Sequence, residues 1–244
     1  MGDIVGRQPV LEALRSGQEI NKILVAKGPR QGSIREIFAL AREQAIVVQE
    51  VERSVLDTLS ESTNHQGVLA QMAGISYLEL DELLAKPKDA NWAPFLILLD
   101  GVQDPHNLGS IIRSGEAMGI DGVIIPKRRA APVTQTVMKS SAGAANYLPV
   151  CRVGNLAATI DLLKKAGYWI VGADMEGDTC FVQDLTGPLA LVIGGEGSGL
   201  SRLVKDKCDF LTSVPMRGEI NSLNASVAAG ILVFEVVRQR SMLP

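Results

Sequence analysis

Continuous apolar runs alternate with stretches of helical spacing through the second half of the chain. The run 95–99 has no polar alternation, which is typical of a strand buried on both faces of a parallel sheet. Further strands are predicted at 122–125, 147–151, 168–173, 189–193 and 210–214, and helices at 108–118, 156–166, 201–207 and 222–238. This alternation predicts an α/β domain with a mostly parallel sheet over residues 95–244.

The first part of the chain shows the same alternation on a smaller scale. Strands are predicted at 22–26, 45–48 and 67–72, and helices at 10–14, 34–41 and 53–59. Residues 1–73 are therefore predicted to form a small α/β domain of their own. Residues 74–94 hold an acidic helix-like piece (78–85) and then a segment rich in Pro, Lys and Asn, and we interpret them as a linker.

Composition excludes several classes of protein. The chain has 244 residues, of which 46% are hydrophobic and 21% charged, and this is not the composition of a disordered chain. Its net charge of −3 argues against non-specific coating of nucleic acid. With three cysteines, no CxxC pair and two histidines, we expect no disulfide framework, no metal site and a reduced, cytoplasmic setting. No apolar run is long enough to predict a membrane span.

Three segments could carry chemistry, and the first is Asp104-Pro-His-Asn-Leu-Gly. It follows the strand 95–99 and opens a helix, which is a common position for ligands in α/β proteins. Asn107 is the predicted N-cap of that helix, and Arg113 and Glu116 lie within it at ion-pair spacing. A capped helix with one surface ion pair would explain this segment without any function.

The second segment is Gly194-Gly-Glu-Gly-Ser-Gly, directly after the strand 189–193. Its glycines permit positive φ angles and close approach of the backbone to a ligand, although a flexible turn would look the same. Glu196 at its centre would repel a phosphate, and no Gly-Lys-Ser/Thr of a Walker loop follows. An NAD-dependent oxidoreductase is a rival hypothesis, but the spacing differs from the GxGxxG of dinucleotide folds.

The third segment covers residues 214–230. Asn221 or Ser222 could cap the last helix, whose first turns hold small residues that permit close approach of another backbone. Asn224 would then lie in the first turn, where asparagine costs helix stability, and this favours a specific role. Simple helix packing is the alternative interpretation.

The basic residues are unevenly placed. The stretch 126–152 holds five basic residues and no acidic one, whereas the whole chain carries −3. We interpret this stretch as an edge that contacts phosphates, with an ordinary solvated face as the alternative. The candidate phosphate contacts are Lys127, Arg128, Arg129 and Lys139, together with Arg30 and Arg35 in the first domain.

In this order and spacing, the three segments resemble the motifs of the SpoU family of RNA 2′-O-ribose methyltransferases, also called the TrmH family. The first motif is matched by Asp104-Pro-His-Asn-Leu-Gly with Arg113, the second by Gly194-Gly-Glu-Gly-Ser-Gly, and the third by Ser222-Leu-Asn-Ala-Ser. Asn64-His-Gln-Gly and the run 6–14 further resemble the bacterial branch that methylates guanosine in 23S rRNA.

The resemblance implies a SPOUT-type α/β catalytic domain with a C-terminal trefoil knot, preceded by a substrate-binding domain similar to ribosomal protein L30e. It also implies S-adenosylmethionine as cofactor, S-adenosylhomocysteine as product, 23S rRNA as substrate, and a homodimer formed through the catalytic domain. The basic residues would then contact RNA. A tRNA ribose methyltransferase is the closest alternative, and a non-catalytic RNA-binding assembly factor is a more distant one.

The resemblance also assigns roles to particular residues. Arg113 would act near the 2′-hydroxyl, and Asn107, Glu196 and Asn224, with Ser222 in support, would hold Arg113 and the ribose. The cofactor would lie against Gly194, Val214 and Leu223, with Gly195, Gly199 and Met216 nearby. Because the guanidinium of arginine stays protonated in proteins, we expect Arg113 to stabilise the developing alkoxide and not to act as a general base.

Overall fold

The computed structural model describes residues 3–60, 65–86, 92–219 and 222–242. The chain divides into two compact units, Met1–Ser76 and Tyr77–Pro244. The structure thus confirms the two α/β units that the sequence predicts. In the described parts of the chain, no helix is long and apolar enough to cross a membrane.

The first unit is a four-stranded sheet with helices on both faces. Its strands are β1 (Ile4–Val5), β2 (Ile20–Ala26), β3 (Val47–Val51) and β4 (Val68–Met72), in the order β1-β4-β2-β3, and its helices are α1 (Arg7–Arg15), α2 (Ser33–Glu43) and α3 (Arg53–Leu59). Successive residues of β2 face opposite sides. Ile23 packs in the core under α1 and α2, whereas Leu24 packs with Leu56 of α3.

The second unit is built on a six-stranded sheet. Its strands are β5 (Phe95–Asp100), β6 (Gly122–Pro126), β7 (Val150–Val153), β8 (Trp169–Thr179), β9 (Leu189–Gly194) and β10 (Phe210–Ser213), in the order β10-β8-β9-β5-β6-β7. Every adjacent pair is parallel, so all carboxyl ends meet at one edge of the sheet. In the central strands β5 and β9, every residue except the last is buried, as their apolar runs predict.

Among the described residues of this unit there are six α-helices, of which four lie between strands, one precedes β5 and one follows β10. They are α4 (Leu80–Ala85), α5 (Pro105–Ala117), α6 (Gln135–Ser140), α7 (Leu156–Lys165), α8 (Arg202–Lys205) and α9 (Ala225–Ser241). Helix α4 lies inside the predicted linker 74–94, but its Leu83 is buried in the same core as Leu96 and Cys151. The structure therefore assigns this part of the predicted linker to the second unit.

Two helices begin at positions that differ from the predictions. The prediction that Asn107 caps α5 is wrong, because Pro105 takes the first helical position and Asp104 caps the helix by accepting from the backbone N–H of His106. The cap of α9 is Asn224, so Ser222 does not cap this helix. Asn221, the other predicted cap, and Asn64 lie outside the described residues.

Candidate active site at the carboxyl edge of the second sheet

The three segments singled out in the sequence converge at the carboxyl edge of the six-stranded sheet. Strands β5 and β9 are neighbours, so the segment after β5 and the glycine-rich loop 195–200 after β9 start side by side. The backbone N–H of Gly195 donates to the carbonyl of Asp100 (2.8 Å), and the N–H of Ser201 donates to its carboxylate (2.7 Å). Asp100 therefore holds both ends of this loop against β5.

Gly194, the last residue of β9, and Gly195, the first residue of the loop, are required by the packing of the backbone. A Cβ atom on Gly194 would lie 2.3 Å from the carbonyl carbon of Gly199, and one on Gly195 would lie 2.3 Å from the oxygen of Gly101. Gly197 and Gly199 have positive φ angles, +77° and +60°. Gly194 and Gly195 are therefore required by the close passage of the loop past itself and β5, and the close approach of a ligand that the sequence predicts stays a prediction.

Asn107, Glu196 and Asn224 form one hydrogen-bonded network. Oε1 of Glu196 accepts from Nδ2 of Asn107 (2.9 Å) and from Nδ2 of Asn224 (2.5 Å). Nδ2 of Asn224 also donates to Oδ1 of Asn107 (2.9 Å). The network therefore joins the start of α5, the glycine-rich loop and the start of α9.

Contacts outside the network fix the orientation of Asn224. Oδ1 of Asn224 accepts from the backbone N–H groups of Ser226 (2.9 Å) and Val227 (3.3 Å), which directs its amide nitrogen toward Glu196. Asn107 is 5% exposed and lies within the helix, where solvent competes little for its amide. Because each amide donor meets an acceptor, the three side chains have one consistent arrangement.

Arg113 lies apart from this network. It follows Asn107 by six residues on α5, which places it about 240° further around the helix axis. It is exposed, and it makes no hydrogen bond or ion pair with any residue that the structure describes, Glu116 included. The expectation that Asn107, Glu196 and Asn224 hold Arg113 is therefore not met in the single chain, since these side chains bond to one another.

A cavity of about 1040 Å³ lies beside the network. Its volume is that of a site for a cofactor-sized ligand. Glu196, Ser222 and Asn224 line it, and so do all six residues expected to contact the cofactor: Gly194, Gly195, Gly199, Val214, Met216 and Leu223. Ile193 and Leu232 add apolar wall, so the cavity combines an apolar slot with polar groups.

One polar part of the cavity lining was missed in the sequence. Asp174 and Glu176 of β8 and Lys205 of α8 line the cavity, and Nζ of Lys205 contacts the carboxylates of Asp174 (2.9 Å) and Glu176 (2.6 Å). Burial alone would raise the pKa of Asp174, but hydrogen bonds from the Glu176 N–H and from Lys205 outweigh it and lower that pKa. An acid directly after the apolar run 168–173 was the signal that could have found this group.

The four basic residues of the second unit that are predicted to contact phosphates lie at the same edge of the sheet. Lys127, Arg128 and Arg129 follow β6, which is two strands away from β9, and Lys139 lies on α6. Arg128, Arg129 and Lys139 are exposed, and none of them forms an ion pair within the described ranges. In the first unit, Arg35 is exposed.

Arg30 differs from these residues because its own unit holds it. Its guanidinium lies 3.2 Å from a carboxylate oxygen of Glu50 and 4.1 Å from the centre of the Phe38 ring. A phosphate would have to compete with both groups. Arg30 is therefore a poor candidate for an RNA contact.

Residues 225–234 of helix α9 are small or apolar around the whole circumference, with Ser226 as the one polar residue among them. Ala229, Leu232 and Val236 face the core, while Val227, Ile231 and Phe234 form a stripe on the other side that is 48%, 39% and 53% exposed. A helix that is apolar on all sides is normally buried on all sides. We call Val227, Ile231 and Phe234 the α9 stripe.

Comparison with known proteins gives one consistent answer for both units. Residues 94–234 match the SpoU rRNA methylase family, and residues 4–78 match the RNA 2′-O ribose methyltransferase substrate-binding family. A Staphylococcus saprophyticus protein assigned to the TrmH family tRNA/rRNA methyltransferases is 51% identical over 241 residues, covering 98% of this chain and 96% of that protein. A Staphylococcus aureus protein with the same assignment is 49% identical over 238 residues, covering 97% of this chain and 96% of that protein.

Solved structures with the same fold include two that hold the cofactor AdoMet. The SpoU methyltransferase AviRb of Streptomyces viridochromogenes is 29% identical, with a TM-score of 0.62 and coverage of 98% of this chain and 90% of that one. An AdoMet-bound rRNA methyltransferase of Sinorhizobium meliloti is 26% identical, with a TM-score of 0.62 and coverage of 100% and 88%. The A. aeolicus TrmH/SpoU tRNA modifying enzyme is 27% identical over 66% of this chain and 80% of that one, with a TM-score of 0.57.

Proposed function

The chain belongs to the SpoU family of RNA methyltransferases, and from that membership we propose that it transfers a methyl group from S-adenosylmethionine to the 2′-hydroxyl of a guanosine ribose in 23S rRNA. Membership of the family supports methylation of an RNA 2′-hydroxyl by a protein with the SpoU α/β fold. The proposal adds guanosine as the nucleoside and 23S rRNA as the substrate. The observation that carries it is the network of Asn107, Glu196 and Asn224 beside the cavity.

The cavity fits the proposed cofactor. Adenine needs an apolar slot with a few backbone hydrogen bonds, and Ile193, Val214 and Leu223 line one. When bound, S-adenosylmethionine supplies a sulfonium methyl that a ribose oxygen can displace, leaving S-adenosylhomocysteine. Gly194 and Gly195 present bare backbone to this slot, so peptide groups are within reach of a ligand there.

The network would position the ribose. Oε1 of Glu196 is occupied by the two amides, which leaves Oε2 to accept a hydrogen bond from a ribose hydroxyl. Because the orientation of the three side chains is already fixed, they need not reorganise during the reaction. Holding two reactants in the right orientation can contribute ~7–11 kcal/mol to catalysis.

Arg113 is proposed to stabilise the negative charge that develops on the attacking oxygen. Replacing Arg113 by Lys keeps the charge but removes the planar fork, so we expect kcat to fall by most of its value while the cofactor affinity is unchanged. Single-turnover transfer of labelled methyl measures this. Methylation by the Lys variant at the wild-type rate with unchanged KM would exclude the role.

A homodimer is proposed to form through the α9 stripe. Helix α5, which carries Arg113, packs against α9, with Ser114 3.9 Å from the Cβ position of Gly230, so a second copy on the stripe would adjoin Arg113 as well. An Ile231→Glu variant places a charge in the stripe and should sediment as a monomer at micromolar concentration. The matched control is Val55→Glu, at an exposed apolar position of the first unit, which should leave the oligomeric state unchanged.

RNA is proposed to cross the edge of the sheet from the cavity toward Lys127, Arg128, Arg129 and Lys139. These cations lie at the same edge as Glu196, and none of the four forms an ion pair with an acidic residue that the structure describes. Lys and Arg without such partners are suited to phosphates. The first unit, whose family is named for substrate binding, would add contacts through Arg35.

The substrate can be tested directly. Purified 23S rRNA and bulk tRNA, each prepared from a strain lacking this gene, are offered separately and in competition with labelled cofactor. We expect transfer to 23S rRNA, at the 2′-oxygen of one guanosine. Transfer to tRNA instead would favour the alternative, a tRNA ribose methyltransferase, which the tRNA/rRNA assignment of the relatives supports. RNA binding without any transfer would indicate an assembly factor.

The cofactor has its own test. Calorimetric titration should show binding of S-adenosylhomocysteine and no binding of NAD. Binding of NAD without binding of S-adenosylhomocysteine would indicate an oxidoreductase instead. A cytoplasmic setting stays a prediction of the sequence.

A further inference from the structure

The polar group formed by Asp174, Glu176 and Lys205 has no role in the reaction as proposed so far. It lies on the β8 side of β9, whereas the network of Asn107, Glu196 and Asn224 lies on the β5 side. The two polar groups therefore lie on different sides of β9, and Glu196 and Asn224 of the network line the same cavity as Asp174, Glu176 and Lys205. A cofactor whose methyl group reaches the network must place another of its parts near β8.

The bonding of Asp174 leaves it able to bind a ligand. Its side chain is 17% exposed, its Oδ1 accepts from the N–H of Glu176 (3.0 Å), and its Oδ2 contacts Nζ of Lys205 (2.9 Å). A carboxylate has about four acceptor positions, so two remain. The ammonium of Lys205 has three donors, of which Asp174 and Glu176 use two.

We propose that Asp174 and Lys205 bind the two ribose hydroxyls of the cofactor, with Asp174 accepting from one hydroxyl and Lys205 donating to the other. This inference rests on the proposed function. A neighbouring acceptor and donor match a vicinal diol, whose oxygens can each donate and accept. An acidic residue that accepts from a ribose hydroxyl is a solution that dinucleotide folds also use.

The charge of the group disfavours the carboxylate in the methionine part of the cofactor. Asp174, Glu176 and Lys205 sum to one negative charge, so that carboxylate would meet net repulsion here, and the α-ammonium beside it would have to displace Lys205 from the two acids. The ribose is neutral and only exchanges hydrogen bonds. The adenine of the cofactor would then lie against the apolar wall that includes Ile193 and Leu232.

The test compares ligands that differ in one part. S-adenosylhomocysteine carries both ribose and amino acid, 5′-methylthioadenosine lacks the amino acid, and 3′-deoxy-5′-methylthioadenosine also lacks one hydroxyl. Calorimetry on the full-length protein should show that Asp174→Asn weakens binding of the first two ligands by the same factor, about ten- to a hundredfold. The deoxy ligand should bind the wild type more weakly than 5′-methylthioadenosine does. The Asp174→Asn substitution should reduce its affinity by a smaller factor than it reduces the affinity of the other two ligands.

Asp184→Asn is the matched control. Asp184 also accepts from the backbone N–H two residues ahead, that of Thr186 (3.0 Å), but it does not line the cavity. The control should bind all three ligands like the wild type. Equal thermal midpoints of the two variants without ligand show that a loss of binding is not a loss of folding.

The outcomes separate the two proposals. If Asp174→Asn weakens S-adenosylhomocysteine but not 5′-methylthioadenosine, the residue contacts the amino-acid part and the inference is overturned. Unchanged binding of both ligands overturns it as well. If the wild-type protein binds none of the three, the proposed function itself fails.

Discussion

Three basic side chains of the first unit and two at the carboxyl edge of the second sheet differ in whether an acid of their own unit pairs with them. In the first unit, Arg15, Lys27 and Arg30 each form an ion pair with a glutamate, at 2.5, 2.6 and 3.2 Å. At the carboxyl edge of the second sheet, the described residues include no acidic partner for Arg128 or Arg129. A count of charges along the sequence makes no such distinction. From this difference we expect RNA contacts from the basic residues that their own unit leaves without an acid, and not from those that it pairs.

The largest effect is expected where polar groups of the second unit converge. Glu196→Gln can keep one oxygen that accepts from both amides, but it replaces the other oxygen, Oε2, by an NH₂ group that cannot accept from the ribose hydroxyl. The ribose then loses the hydrogen bond that would position it, so kcat should fall by roughly a hundred- to a thousandfold. Single-turnover methyl transfer at saturating cofactor measures it.

The first unit provides the control for that variant. Glu36→Gln removes a glutamate of the exposed ion pair with Arg15, which should change the free energy of unfolding by no more than ~1 kcal/mol and leave kcat unchanged. A thousandfold loss in both variants would mean that the distinction between the units is wrong.

A smaller effect is expected from Gly195→Ala. The new Cβ would lie 2.3 Å from the carbonyl oxygen of Gly101, and since both groups are backbone, the loop must shift. Overpacking of this kind lowers the free energy of unfolding by about 1–3 kcal/mol, and binding of S-adenosylhomocysteine should weaken with it. Denaturant titration and calorimetry measure the two effects. Gly154→Ala, with no atom within 4 Å of its Cβ position, should behave like the wild type.

The smallest effect tests the comparison itself. Arg128→Ala should weaken RNA binding several-fold and reduce the slope of log K against log salt by about 1, because one phosphate contact is lost. Arg30→Ala should leave both quantities close to the wild-type values, since Glu50 and Phe38 already hold that guanidinium. Equal effects of the two substitutions would show that intramolecular pairing does not decide which cations meet RNA.

Strong apolar patterns predicted most of the fold. The runs of β5 and β9 were read correctly because strands at the centre of a parallel sheet are apolar on both faces. Helix α6 was missed because it buries only Val137 and has no helical apolar pattern. Strand β8 continues to Thr179, past its apolar part, because its polar half still pairs with β10.

The candidate site was predicted better in its members than in its geometry. Asn107, Glu196 and Asn224 were singled out together, but their mutual hydrogen bonds depend on which residue caps each helix. Three polar residues precede α9, and local preference does not choose among them. The separation of Arg113 from Asn107 follows only from the exact start of α5. Asp174 was missed because its role depends on Lys205 and a cavity formed by distant segments.

Asn224 gives one amide group two functions, since its oxygen starts α9 and its nitrogen completes the network. Fraying of the first turn of α9 would therefore also disconnect Glu196 from the third segment. Heat should then abolish methyl transfer before the bulk of the sheet unfolds, and a ligand that orders the site should slow hydrogen exchange at Val227 and Ala228. The temperature at which activity is lost would then depend on the local stability of the first turn of α9, which Asn224 caps, and not on the stability of the whole protein.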